Sequence, residues 1–180
     1  MDINLYSKLH VSDAKNDLNG PGIRTILTLQ GCQFNCPKCN LPEAFDVSNG
    51  ICVDVNKIKK DILNMGNNLT ITGGEPILQT KACLEIVSYI KKEKPYLNIW
   101  LYTGFTFEEL LNSNNEGIIS LLKNINILVD GKFIEEERIP GINLKGSYNQ
   151  RILDSKRSLE LGIPIIVFSY DKYNRYYKNY

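Results

Sequence analysis

Four short apolar runs recur along the chain, and each is followed by a segment marked by glycine or cysteine. They are residues 23–29 (IRTILTL), 69–72 (LTIT), 97–103 (LNIWLYT) and 125–129 (INILV). Their β-branched and aromatic content marks them as strands. Helical patterns lie between them. Residues 54–65 set Val55, Ile58, Ile62 and Met65 at helical spacing, with Asp54 as N-cap and Gly66 among the stop signals. Residues 80–92 place Ala82, Cys83, Ile86, Val87 and Ile90 on one face, and Pro95 breaks the connection. Residues 107–122 read as a helix loosened around 112–117. Such alternation predicts parallel strands joined by right-handed crossovers. The units are too few for a closed eight-strand barrel. The expected fold is α/β, a single domain shaped as a partial, open (β/α) barrel or curved sheet.

The special segments 31–39, 73–76, 103–105 and 130–132 each follow a strand. In a parallel sheet those strand ends share one edge, where ligands bind. The chemistry of the chain is therefore expected on that edge.

The first segment reads C-x3-C-x2-C, with Cys32, Cys36 and Cys39. Five cysteines is an odd number, and residues 1–10 are polar and mixed rather than a secretion signal. A disulfide framework is thus a poor reading, and the close spacing points to a metal. Zinc is the first rival. A structural zinc site wants four closed ligands, commonly from two paired knuckles. No second knuckle is present: Cys52 and Cys83 stand alone and the single histidine, His10, lies far upstream. Three thiolates on one loop suit adjacent corners of an iron–sulfur cubane and leave one position open. Cys52, between Ile51 and Val53, and Cys83, in an apolar helical pattern, read as buried small hydrophobes.

Composition trims the options. Lys plus Arg (21) against Asp plus Glu (20) gives a net charge of +1, which argues against direct nucleic-acid binding. Hydrophobic residues at 43% supply a core, and 180 residues predict one domain. No apolar run reaches the roughly 18 residues a membrane span needs. A cytoplasmic protein is expected.

Gly73-Gly74-Glu75-Pro76 offers small residues for close backbone approach to a ligand, a charge at Glu75 and a fixed exit at Pro76. Alone it is an ordinary strand-to-helix turn. After the cysteine triad, in this order, the combination resembles the radical S-adenosylmethionine (SAM) superfamily. Asn19-Gly20-Pro21-Gly22-Ile23-Arg24, then Gln30-Gly31-Cys32, resembles the opening of glycyl-radical-enzyme activases. Trp100-Leu101-Tyr102-Thr103-Gly104-Phe105, Leu128-Val129-Asp130-Gly131-Lys132-Phe133 and Gly146-Ser147-Tyr148-Asn149-Gln150-Arg151 resemble segments of anaerobic ribonucleotide reductase activating proteins. The likeness spans roughly residues 19–151.

This resemblance implies an oxidoreductase with a [4Fe-4S] cluster on Cys32, Cys36 and Cys39. S-adenosylmethionine would sit at the open iron, near Lys38, Asn40, Gly73, Gly74, Glu75, Thr103, Asp130 and Lys132. One electron would cleave it, and the resulting 5′-deoxyadenosyl radical would take a hydrogen atom from a glycine of a large glycyl radical enzyme. That partner would be anaerobic (class III) ribonucleotide reductase, with flavodoxin or ferredoxin as external reductant. Asn19, Gly20, Gly22, Arg24, Asn149, Gln150 and Arg151 would border the entry of the partner's glycine loop. The expected layout is an N-terminal segment (1–18), a radical SAM domain (19–151) and a C-terminal extension (152–180) with an added strand and a tyrosine-rich tail. Two departures from the family pattern are Leu41, where a polar residue is usual, and Lys145, where arginine is usual. Two alternatives stand beside this reading. One is a radical SAM enzyme acting on a small pterin, like 7-carboxy-7-deazaguanine synthases. The other is a non-catalytic iron–sulfur carrier, against which the open ligand position counts.

Overall fold

The computed structural model describes residues 1–12, 19–139, 144–170 and 176–178; at 168–170 and 176–178 it describes the backbone. In chain order the elements are β1 (Asp2–Leu5), β2 (His10–Val11), β3 (Arg24–Leu29), β4 (Ile51–Asp54) and α1 (Val55–Met65). Then come β5 (Asn68–Gly73), α2 (Thr80–Glu93), β6 (Ile99–Tyr102), α3 (Phe107–Asn112) and α4 (Glu116–Asn124). The chain continues with β7 (Ile127–Asp130), β8 (Arg151–Asp154), α5 (Ser155–Leu161), β9 (Ile166–Tyr170) and β10 (Tyr176–Lys178). No helix among the described residues is long and apolar enough to cross a membrane.

The helix signals act as the sequence suggests. The Asp54 carboxylate accepts from the Asn56 N–H to cap α1, and Gly66 ends it in a left-handed turn at φ 71°. The loosened stretch near residue 114 resolves into two helices. Thr106 and Glu109 form a capping box on α3, and Asn115 caps α4.

Among the described residues, the ten strands join one mixed sheet in the order β10-β9-β8-β7-β6-β5-β3-β1-β4, with β2 beside β3. The centre is the expected parallel block: β3 pairs with β5, β5 with β6, and β6 with β7. Antiparallel strands extend it on both sides. Those flanking strands are short and lack strong alternation, so β1, β4 and β8 carry little sequence signal. Cys52 corrects one expectation. It is exposed, because β4 is the outer edge strand and pairs with β1 alone on this path. Cys83 is buried as expected. In the tyrosine-rich stretch, β9 and β10 pair antiparallel, while residues 171–175, 179 and 180 lie outside the described residues.

Alternation along the parallel strands divides the two faces. Leu27, Leu29, Leu69, Ile71, Ile99, Leu101 and Leu128 pack with the apolar sides of α1, α2 and α4. The residues between them face the other way and are mostly threonine or aromatic: Thr28, Thr70, Thr72, Trp100 and Tyr102. Arg24 lies on this second face, and it too corrects an expectation. It is 1% exposed, so it cannot itself meet a partner. Its guanidinium donates to Thr70 Oγ1 (2.6 Å) and the Leu69 carbonyl (2.7 Å) and stacks 5.4 Å over the Trp100 ring. Burial lowers its pKa to about 10. Gly20, at φ 98°, packs against Arg24 and Trp100, so the Asn-Gly-Pro-Gly segment is fitted over this buried cation.

Candidate functional site

Parallel pairing sets the C-terminal ends of β3, β5, β6 and β7 side by side. Leu29 stands opposite Gly73, and Tyr102 opposite Val129. The cysteine loop leaves the end of β3 and is closed at its neck. Gly31 and Cys32 donate their N–H groups to the carbonyls of Ala44 and Phe45, at 2.8 and 3.1 Å. Gln30, 2% exposed, adds side-chain bonds to the carbonyls of Glu43 (2.8 Å) and Asp46 (2.6 Å). Inside the loop Asn35 and Lys38 adopt left-handed φ of 46° and 52°. Such non-glycine turns are uncommon. Cys32, Cys36 and Cys39 all line one cavity of about 680 Å³.

The adjoining turn is tight for a reason other than a ligand. A Cβ at Gly73 would stand 2.5 Å from the Leu29 backbone, and one at Gly74 would overlap the Gly31 carbonyl. The Gly74 and Glu75 N–H groups donate to the carbonyls of Leu29 (2.8 Å) and Gly31 (2.7 Å). The glycine pair therefore seats the second strand against the neck of the cysteine loop, and both glycines also line the cavity.

Glu75 is wholly buried and turned toward β6. Its carboxylate accepts from Thr103 Oγ1, the Gly104 N–H and the Ile77 N–H, at 2.8, 2.8 and 2.9 Å. Burial raises its pKa to about 7, against the pull of those three donors. Gly104 supports the ring of Phe34, which meets Phe105 edge-on at 4.8 Å and carries Lys132 Nζ 4.8 Å above it. The middle of the cysteine loop is thereby held against the ends of β6 and β7.

The expected site residues divide in two. Asn40, Gly73, Gly74, Glu75, Thr103, Lys132, Asn19 and Gln150 line the cavity with the three cysteines. Lys38, Asp130, Gly20, Gly22, Arg24, Asn149 and Arg151 are not among its lining residues. Asp130 is 1% exposed and accepts from the Phe107 N–H (2.7 Å) and from Arg151, which also grips Glu108. Asn149 Nδ2 donates to the Lys132 carbonyl (2.8 Å) and Gln150 Nε2 to that of Gly131 (2.9 Å). The Gly146–Arg151 signature thus fastens the segment that follows β7. The two departures have local explanations. Lys145 Nζ donates to the carbonyls of Tyr148 (2.8 Å) and Gln150 (2.5 Å), inside this same fastening. The Leu41 N–H donates to Cys39 Sγ at 3.4 Å, a bond that any residue there except proline can make.

Sequence reasoning missed Phe34, Arg138 and His10 as cavity residues. Phe34 had a signal, an aromatic ring inside a polar cysteine loop. Arg138 and His10 had none, because each reaches the cavity through distant pairing.

The donor set fits an iron–sulfur cluster. The three thiols are free and half-exposed. Burial pushes the Cys32 and Cys36 thiols up, partly offset by backbone N–H groups, so a bound cation is what would make them thiolates. Among the described residues no three Cys, His, Asp or Glu side chains gather to hold a single metal ion. A cubane takes each thiolate on a different iron, which suits thiols spread around one cavity. Charge agrees. Among the described residues, Lys132, Lys145 and Arg138, the last paired with Glu135, line the cavity against one lining acid, Glu75, that already accepts three hydrogen bonds. Such a lining favours an anionic guest, and a cluster on three thiolates is one.

Comparison with known proteins places the chain. A family described as a 4Fe-4S single cluster domain matches residues 18–153. The anaerobic ribonucleoside-triphosphate reductase-activating protein of Vibrio cholerae is 36% identical over 147 residues, which is 75% of this chain and 90% of that protein. The protein of the same name from Enterobacteria phage T4 is 31% identical over 154 residues (82% and 92%). That of Escherichia coli K12 is 32% identical over 143 residues (74% and 89%). Among solved structures, QueE from Escherichia coli aligns with a TM-score of 0.45 and 14% identity. The alignment covers 59% of this chain and 54% of that one, a likeness too slight to carry an argument. The extent of these sequence matches shows that this chain belongs to the family of anaerobic ribonucleoside-triphosphate reductase-activating proteins.

Proposed function

We propose that the chain is a radical SAM activase that installs a glycyl radical on anaerobic ribonucleotide reductase. One observation carries the reading. Three free thiols and a double-glycine turn, at the ends of two adjacent parallel strands, line one cavity with a cationic wall. Cys32, Cys36 and Cys39 would hold a [4Fe-4S] cluster, and Gly73, Gly74 and Thr103 would line the methionine end of S-adenosylmethionine. When bound, this pair supplies one-electron cleavage of S-adenosylmethionine and hydrogen-atom abstraction from the partner's glycine. The chain's own residues do three things. Glu75 ties the β5 turn to the β6 turn, Phe34 packs the cysteine loop on those turns, and Lys132 adds positive charge beside the ring. In this reading the open sheet is a partial (β/α) barrel whose chemistry resides in residues 19–151. Residues 1–18 are its N-terminal segment and residues 152–180 its C-terminal extension. Flavodoxin or ferredoxin would deliver the electron in the cytoplasm, and nucleic acid would not be bound.

The test is anaerobic reconstitution with iron and sulfide, then dithionite and S-adenosylmethionine. Release of 5′-deoxyadenosine is expected, followed by a protein-bound glycyl radical in the resonance spectrum when the reductase is added. A full cluster without 5′-deoxyadenosine would leave only a carrier. Turnover of a pterin without a glycyl radical would replace the partner by a small molecule.

A further inference from the structure

The segment after β7 crosses back over the cysteine loop. Its course is fixed from the opposite side by the Gly146–Arg151 signature. The Ile134 N–H donates to Ser147 Oγ (3.2 Å), the Ile139 N–H to the Gly146 carbonyl (3.0 Å) and the Tyr148 N–H to the Glu137 carbonyl (2.8 Å). Ser147 is fully buried and its hydroxyl is held in turn by Asn149 Oδ1 at 2.6 Å. A short strap is thereby stitched at several points, and it meets the cysteine loop through Lys132 over the Phe34 ring, Glu135 at 3.8 Å from Lys38 Nζ, and Arg138.

Arg138 spends its guanidinium on that loop. Nη2 donates to the Lys38 carbonyl at 2.9 Å and Nη1 to Asn40 Oδ1 at 3.0 Å. These two residues flank Cys39. The planar group is oriented by Glu135, which accepts from Nε at 2.8 Å, and by Phe133, whose ring lies 4.7 Å beneath it. Lys38 is one of the two left-handed residues in the loop, so its carbonyl is aimed by an uncommon backbone turn. A guanidinium fork suits this pair of acceptors and an ammonium does not.

We infer that Arg138 is a positioning residue, a clasp that fixes the third cluster ligand and places a positive charge beside it. This rests on the activase reading only in taking a cluster on the three cysteines. The fork holds Cys39 in the geometry it needs before any cluster is present. The charge favours the reduced, more negative state of the cluster.

The experiment compares anaerobically reconstituted wild type, Arg138→Lys, Arg138→Gln and Asn40→Ala, without S-adenosylmethionine or partner. Two quantities are read: the rate of iron release to a ferrous chelator, and the midpoint potential of the cluster. Both Arg138 variants should release iron about tenfold faster, as for the loss of one charge-assisted bond. Asn40→Ala, which keeps the carbonyl contact, should fall between them and wild type. The potential should drop in Arg138→Gln and stay near wild type in Arg138→Lys, which keeps the charge. A structural role alone would not split the two variants in that way. Arg138→Gln with a full cluster and wild-type release rate and potential would overturn the clasp alone. Wild type that takes up no cluster would overturn the activase reading as well.

Discussion

On β5, Leu69 and Ile71 are fully buried against the helices, while Thr70 and Thr72 face the other side of the sheet. On β6, Ile99 and Leu101 go to the helices, and Trp100 and Tyr102 go the other way. The helix-covered face is closed and apolar, so its contribution to stability is burial. The other face combines a smaller apolar cluster of Trp100, Val129, Leu144 and Ile152 with directed bonds, such as Arg24 to Thr70 and Tyr102 to the Leu144 carbonyl. The contrast separates two tasks within one strand. One set of residues fills the core under the helices; of the set between them, Thr28, Thr72 and Tyr102 line the cavity, while Thr70 and Trp100 are buried against Arg24.

The contrast predicts unequal costs. Leu101→Ala, at a fully buried position on the helix face, should cost about 4 kcal/mol through lost burial and the cavity left behind. Urea unfolding of the cluster-free protein measures it. A cost below that of the cavity-face change at Tyr102 described below would reverse the assignment of the two faces.

Glu75 sits where the faces meet the strand ends and gives the next largest effect. Its pKa is about 7 in the folded protein and 4.5 as the ordinary value. Between those limits the folded state holds a proton that the unfolded state lacks, so stability falls as pH rises. The stabilisation is complete below the lower value and lost above the upper one, about 3 kcal/mol in all. Cys32 and Cys83 are its titratable neighbours, and burial keeps both thiols neutral in this range. Cluster-free wild type should therefore lose stability from pH 5 to 7.5 more steeply than Glu75→Gln. Parallel curves for the two proteins would show that Glu75 is ionised throughout.

Much of this was legible in the sequence, for physical reasons. The four central strands announce themselves because short runs rich in β-branched and aromatic residues end at glycine or cysteine segments. The caps at Asp54 and Gly66 are local chemistry. Strands β1, β4 and β8 were illegible because short flanking strands depend on their partners rather than on their own pattern. The site was legible as a set of strand ends. The work of individual residues was not. Arg24 belongs to the core, and Gly73 and Gly74 are required by the backbone beside them before any ligand arrives. Asn149, Gln150 and Arg151 read either as partner-binding residues or as a structural polar cap, and their bonds run inward to Lys132, Gly131 and Asp130. A motif's spacing reports that residues act together, and only their three-dimensional neighbours report on what.

The cavity face should respond more gently to single changes. Tyr102→Phe removes the hydroxyl that donates to the Leu144 carbonyl at 2.8 Å. The loss of one neutral hydrogen bond should cost about 1 kcal/mol. Chemical denaturation checks this, and a cost as large as that of Leu101→Ala would make the cavity face as stabilising as the helix face.

The cysteines separate the same regions at no cost in stability. Cys83 lies against the helix face, fully buried, and burial pushes its thiol up to about 12, so it should resist alkylation. Cys52 is exposed on the edge strand, outside both the core and the cavity. The remaining three line the cavity and are claimed for the cluster. Treating the reconstituted, folded protein with iodoacetamide under anaerobic conditions should label Cys52 alone. Removing the cluster first should add Cys32, Cys36 and Cys39, and still leave Cys83 unlabelled until the chain is unfolded. Labelling of Cys36 at full cluster occupancy would remove it from the ligand set. Early labelling of Cys83 would show that the helix face opens on its own, and the division between a closed face and an open one would then fail.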